Sequence, residues 1–368
     1  MATTINRAVW QDAVGVPGAI RDSSLPTNDE LGDHKVLVKV HAWAINPCDY
    51  MLQDRNLVNY PIILGCDIAG TVKSVAPGST AASQFRVGDR VFGFGANNGF
   101  QDFVSLDNRL MARIPGDMPY REAVVLGLCS ATSALFLFGK DYLNLDYPKL
   151  GALKKGKSVL IWGGSSAVGS NAVQLVTAAG YDVIATCSKK NFDYVKGLGA
   201  TQVFDYKDAD VTKIIAAELD KGECAGIFMA AGLKEGNVAA YKVAAASKQK
   251  LNLASSNFIG NLEDVPEGVD VKQPTPENFK PFPDCWFETT PATFGGYLPE
   301  ALAKGAYKAA PPPLVVNRKG LEGIQDAVDL MRVVTEKGQE ASKETIDRIK
   351  EGKQEDKISA IKLVVEKP

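Results

Sequence analysis

The residues best placed to do chemistry start at Lys157-Ser-Val-Leu-Ile-Trp-Gly163-Gly164-Ser165-Ser166-Ala167-Val168-Gly169, where an apolar run feeds glycines and then a long helical pattern. Val159 to Trp162 suit a strand buried on both faces, Gly163 and Gly164 let the backbone turn tightly beside a pyrophosphate, and Gly169 lets the next helix pack closely on the strand. That helix aims its free N–H groups and positive dipole end at the phosphates, with Gly163, Gly164, Ser165, Ser166 and Val168 as the cradle. A plain buried strand-turn-helix carries the same glycines, so the neighbourhood decides. An NAD-selective site places Asp or Glu roughly 20 residues past the first glycine. Here that place reads Thr186-Cys-Ser188-Lys189-Lys190-Asn191, a hydroxyl and two cations with no carboxylate. Ser188, Lys189 and Asn191 therefore suit a 2′-phosphate, and the predicted cofactor is NADPH. The competing reading has both lysines at an exposed helix start, where they oppose the dipole.

Composition removes other chemistries. The chain has only two histidines, His34 and His41, so general-base chemistry on histidine has almost no candidates and a histidine-rich metal site none. His41 sits in a strand alternation as a structural imidazole, and His34 at an exposed turn. The six cysteines are widely separated, with no CxxC pair, and read as free thiols in a reducing compartment. A net charge of −2 with scattered basic residues gives no nucleic-acid or membrane-surface stripe. No apolar run is expected to reach the roughly 20 residues of a membrane span, and no signal peptide opens the chain, so a cytoplasmic protein is expected. The apolar fraction of 45% is that of a globular protein, and 368 residues exceed one hydrophobic core.

The elements that must position the glycine turn follow from periodicity. Before about residue 113 the chain reads as short strands: Lys35 to His41, Gly70 to Val75, Val87 to Gly93 and Phe103 to Leu106. Such a run predicts a mostly β domain. Glu122 to Phe138 is helical in spacing, and the chain then alternates: strands at Tyr181 to Thr186, Gln202 to Asp205 and Gly226 to Met229, helices at Asn191 to Leu198 and Asp208 to Leu219. This α/β pattern predicts a Rossmann doubly wound parallel sheet. Between Gly260 and Pro299 the aromatics Phe279, Phe282, Trp286, Phe287 and Phe294 suggest a folded lid or wall beside a cleft. Gly320 to Val334 reads as an amphipathic helix, Glu336 to Lys357 as a solvated charged run, and Ile358 to Val365 as a last strand. The expected division is 1–128, 129–300 and 301–368, the last returning to the first domain.

Ala44-Ile-Asn-Pro-Cys-Asp49, Leu64-Gly-Cys-Asp-Ile-Ala-Gly70, Val87-Gly-Asp-Arg-Val-Phe-Gly93 and Gly163 to Gly169 occur in that order. Together they resemble the medium-chain dehydrogenase/reductase superfamily, which implies a GroES-like, mostly β catalytic domain beside the Rossmann domain. Ala185-Thr-Cys-Ser-Lys-Lys-Asn-Phe-Asp193 and Val203-Phe-Asp-Tyr206 are most similar to its zinc-independent fungal branch, which includes trans-acting enoyl reductases serving polyketide synthases. The resemblance implies that Tyr206 packs near the adenosine phosphate, Asn46 lies beside the substrate pocket and Thr132 against the nicotinamide. Zinc members hold the metal with a Cys and a His where this chain has Asn46 and Cys66, and Gly93 to Phe103 contains no cysteine of the structural-zinc lobe. No metal is expected. Where reductase relatives carry a Tyr or Lys two residues after Asp49, this chain has Met51, which cannot donate a proton. Tyr50 is the remaining candidate donor, water an alternative, and a different chemistry a third.

The expected function is NADPH-dependent, metal-independent reduction of an enoyl or other α,β-unsaturated carbonyl in secondary metabolism. The partners are a small-molecule substrate and a polyketide-synthase-type protein, with the chain a monomer or homodimer. The alternatives are an NADPH quinone oxidoreductase and a non-catalytic NADPH-binding sensor or synthase partner.

Overall fold

Strand Lys35–Ala44 is buried at every position but Lys35, Lys39 and His41, because it lies inside a seven-stranded sheet. The computed structural model describes residues 5–231, 234–256, 264–274, 284–336 and 360–368, and it divides into Met1–Leu128 with Pro312–Pro368, and Cys129–Pro311.

In the first unit the sheet order is Pro313–Asn317, Lys362–Glu366, Lys35–Ala44, Asp67–Val75, Arg90–Phe94 and Met111–Arg113, with Phe103–Asp107 also pairing with Lys35–Ala44. All pairs are antiparallel except that of Pro313–Asn317 with Lys362–Glu366. A second sheet joins Ala19–Ser23, Asn6–Gln11 and Ile62–Ile63. Their common core holds Val38, Trp43, Ile68, Val91, Val104 and Leu363, and helix Ile324–Glu336 adds Ala327 and Leu330. The mostly β domain is as the strand pattern predicts. Arg332 on that helix grips Asp54 in a fork (2.6 and 2.9 Å) and Gln53 Oε1 (2.8 Å), which fastens helix Pro47–Asp54.

In the second unit six parallel strands lie in the order Gln202–Asp205, Asp182–Cys187, Lys157–Trp162, Glu223–Met229, Asn252–Ser255 and Asp270–Lys272. The first strand in sequence is central, and its neighbour changes side at Glu223–Met229, the switch point of a doubly wound sheet. Leu160, Ile184, Ile227 and Leu253 form the core with Ile215 and Tyr241 from the covering helices. Helix Lys234–Ala246 and the last two strands were not predicted.

The second unit continues to Pro311 because its last turn is bonded back: Tyr307 Oη donates to Asn171 Oδ1 (2.7 Å), and Asn171 Nδ2 donates to the Ala310 carbonyl (2.9 Å). The helical run Tyr120–Phe138 does reach the length and apolarity of a membrane span, contrary to the sequence expectation, but most of it is buried in the fold. Among the candidate lid aromatics, Trp286 and Phe294 are buried in packing, while Phe279 and Phe282 lie outside the described residues. Most of the charged run after Glu336 lies outside them as well. The last strand begins at Lys362, four residues later than expected.

Candidate functional site

In the second unit the nucleotide cradle forms where the sequence puts it. Gly163 has φ of +89°, which glycine adopts without strain. A side chain on Gly169 would lie 2.1 Å from the Gly163 carbonyl oxygen, so only glycine lets the helix start against the strand end. Ser166 caps helix Ala167–Ala178, its Oγ accepting from Gly169 N–H at 2.9 Å. Ser165 and Val168 are half-buried beside it. Thr186, not among the residues the sequence singles out, holds the turn from the next strand. Its Oγ1 accepts from Gly163 N–H (3.0 Å) and its carbonyl from Gly164 N–H (2.8 Å). Its position at the end of an apolar strand was the only signal.

Just past Thr186, Ser188 Oγ lies 3.2 Å from Tyr206 Oη, so the two candidate residues meet at the ends of adjacent strands. Tyr206 is exposed, Lys207 lies over its ring at 5.9 Å, and Lys189 is exposed. Asn191 differs: it is 2% exposed at the helix start, with its N–H bonded to the Ser188 carbonyl at 2.9 Å. Thr132 is half-buried on helix Gly127–Phe138. That helix is tied to the cradle helix through Ser133 Oγ, which donates to the Val168 carbonyl at 2.7 Å, and Ser130 Oγ, which donates to Asn171 Oδ1 at 3.0 Å.

In the first unit, strand register builds a buried polar cluster. Ala44 pairs with Val364 on one side and Asp67 on the other, so Asn46 falls opposite Lys362 and close to Asp67. Asn46 Nδ2 donates to Asp67 Oδ2 (2.9 Å) and the Lys362 ammonium donates to Asn46 Oδ1. Lys362 Nζ also lies 3.3 Å from Asp67 Oδ2, and the pair is 3% and 0% exposed. Asp67 Oδ1 accepts from Leu128 N–H at 2.6 Å. Lys362 and Asp67 were missed. A single lysine within Ile361-Lys362-Leu363-Val364-Val365 was the available signal.

Asn46 caps helix Pro47–Asp54 in a reciprocal box with Asp49, whose Oδ2 accepts from Asn46 N–H at 2.8 Å. Asp49 is fully buried, and its Oδ1 has no hydrogen-bond partner among the described residues. Burial pushes the Asp49 carboxyl up to about 7 from 3.8, with Asp67 adding to the rise and the Asn46 N–H and Lys362 opposing it. A carboxyl raised in the fold gives stability that is full below pH 3.8 and lost as pH rises through 7. From pH 5 to 8, the wild type is expected to lose about 2 kcal/mol relative to Asp49→Asn in denaturant unfolding. Parallel stability curves would contradict this.

The candidate proton donor moves. Tyr50 is 2% exposed in the hydrophobic core that helix Ile324–Glu336 also enters. One helical residue is a rotation of about 100°, so the face that turns Asp49 towards Asn46 turns Tyr50 away. Burial raises the Tyr50 pKa. Tyr50 is therefore a packing residue, and Met51 packs against the same core. Cys48, Asp49 and Cys66 each offer a donor atom, all within 4.8 Å of one another. His41 stacks on Tyr120 with ring centroids 4.7 Å apart, as a structural imidazole.

Residues 32–116 match the family model described as alcohol dehydrogenase GroES-like domain, and residues 167–249 the one described as zinc-binding dehydrogenase. The chain is 36% identical over 344 residues to a dehydrogenase of Aspergillus niger, azaJ, covering 86% of this chain and 94% of that one. It is 32% identical over 356 residues to a trans-enoyl reductase of Aspergillus japonicus, himH, covering 90% and 95%. The crystal structure of an alcohol dehydrogenase superfamily protein from Novosphingobium aromaticivorans superposes with a TM-score of 0.69 at 24% identity, covering 98% of this chain and 99% of that one. That likeness shows the fold.

Proposed function

The chain belongs to the medium-chain dehydrogenase/reductase superfamily and is an oxidoreductase with an NAD(P) cofactor, and we propose that it is an NADPH-dependent, metal-independent reductase of polarised C=C bonds. The observation that carries this reading is the end of strand Asp182–Cys187, where Ser188 meets Tyr206, exposed Lys189 follows, and the Thr186 to Asn191 segment holds no acidic side chain. A hydroxyl pair and a cation recognise a 2′-phosphate, and a carboxylate there would repel it. NADPH, when bound, supplies the hydride for the β carbon of an α,β-unsaturated carbonyl. The chain's part is to hold the pyrophosphate on the helix start at Ser166 to Gly169 and to orient the nicotinamide past Thr132. The similarity to a trans-enoyl reductase supports an enoyl acceptor.

Metal independence is supported by the residue that stands at the zinc enzymes' cysteine position. At the position of the zinc enzymes' cysteine stands the Asn46 amide, which gives its Nδ2 hydrogen to Asp67 and accepts from the Lys362 ammonium. A carboxamide is a poor zinc ligand, and the cation beside Asp67 is already provided by Lys362. With Tyr50 in the core, solvent protonates the enolate. That placement also favours a second reading, quinone reduction, because quinol oxygens take their protons from water.

Product analysis tests both. With NADPH and an enone or enoyl thioester panel, the saturated carbonyl is expected; a quinol from quinones and no saturated carbonyl would select the second reading. Tight NADPH binding without turnover would make the chain a binding partner instead. For the cofactor, Lys189→Glu is expected to lower the preference for NADPH over NADH by about 10- to 100-fold, the loss of one to two charge-assisted contacts. An unchanged ratio would place the 2′-phosphate elsewhere.

A further inference from the structure

Cys48 Sγ lies 3.9 Å from Cys66 Sγ, one sulfur in the first turn of helix Pro47–Asp54 and the other just before strand Asp67–Val75. The two differ in access. Cys48 is half-buried, whereas Cys66, Cys129, Cys187, Cys224 and Cys285 are all buried. An oxidant therefore reaches Cys48 first, and the sulfur nearest to it is Cys66. We propose that Cys48 and Cys66 are a modification site, in which a peroxide converts the pair into a reversible intramolecular disulfide.

The chemistry closes in two steps. The Cys48 sulfur attacks one peroxide oxygen, the O–O bond breaks, and Cys48 becomes a sulfenic acid as one water leaves. The Cys66 sulfur then attacks the sulfenic sulfur, the S–O bond breaks, and the hydroxyl departs as a second water with the Cys66 proton while the S–S bond forms. Peroxide is the two-electron oxidant and the two thiols are the reductant. The sulfurs stand about 1.9 Å beyond disulfide length, a gap that side-chain rotation at half-buried Cys48 can close. In the reduced pair, Cys66 is held well above the usual thiol range, first by its hydrogen bond to Cys48 and then by burial. The bond would tie the segment Asn46 to Asp49 to Cys66 and Asp67, on both sides of the polar cluster, whatever acceptor the enzyme reduces.

Hydrogen peroxide on the full chain, followed by intact mass and a non-reducing digest, tests the proposal. The expected result is a loss of two hydrogen masses, a single crosslinked peptide pair joining the Cys48 and Cys66 segments, and full return with dithiothreitol. Cys66→Ser is expected to leave a sulfenic acid at Cys48 that dimedone traps. The wild-type crosslink map does not depend on that variant folding. Oxidation of Cys48 to sulfinic acid with Cys66 still free, or a crosslink between other cysteines, would overturn the proposal. So would one zinc per chain in the purified protein whose removal frees both thiols.

Discussion

Lys362→Met is expected to lower the unfolding free energy by about 3–5 kcal/mol, the cost of leaving one partner of a buried ion pair without the other. Asp67 is fully buried and keeps the Asn46 amide and the Leu128 N–H as donors, but it loses its cation. Asn46 loses the ammonium on Oδ1 and with it the orientation of its amide. The effect belongs to the pair rather than to either residue, so adding Asp67→Asn to Lys362→Met should restore much of the loss, because a neutral amide in that place needs no counter-ion. Denaturant unfolding of the two singles and the double would show it. A single-variant cost below about 1 kcal/mol, the range of exposed pairs, would mean that the cluster is solvated.

Gly169→Ala should act on the other unit with a comparable effect. The added carbon would lie 2.1 Å from the Gly163 carbonyl oxygen and 2.9 Å from both the Gly163 carbonyl carbon and Gly164 Cα. All three are backbone atoms and cannot rotate away. The helix must lift off the strand, which costs about 1–3 kcal/mol of stability. It also carries the Ser166 cap and the phosphate-facing N–H groups out of place, since Ser166 Oγ accepts from Gly169 itself. NADPH affinity should fall about 100-fold, close to 3 kcal/mol. A nucleotide titration within threefold of wild type would show that the turn tolerates the shift and that the cradle lies elsewhere.

The second unit was the more legible because its signals are local. The glycine spacing from Gly163 to Gly169 specified both the turn and the close approach, and strand Gln202–Asp205 was placed to the residue. Ser188 and Tyr206 were chosen separately, one from strand-end chemistry and the other by resemblance, and the parallel register brings them together. In the first unit the site depends on long-range pairing. Lys362 bonds to Asn46 across 316 residues, a register that no local pattern encodes. Tyr50 failed for the opposite reason: it neighbours the right residues in sequence, but one helical step turns it into the core. Asp49 was visible as part of a motif, yet its raised pKa comes from burial against Asp67, which only the fold creates.

The most direct test uses chelator-treated protein and NADPH carrying deuterium at the transferable position of the nicotinamide, with an enone or enoyl thioester as acceptor. The expected result is a saturated carbonyl with deuterium on the β carbon, formed at the same rate before and after chelation. Loss of turnover on chelation that added zinc restores, with reduction at the carbonyl carbon instead, would contradict it.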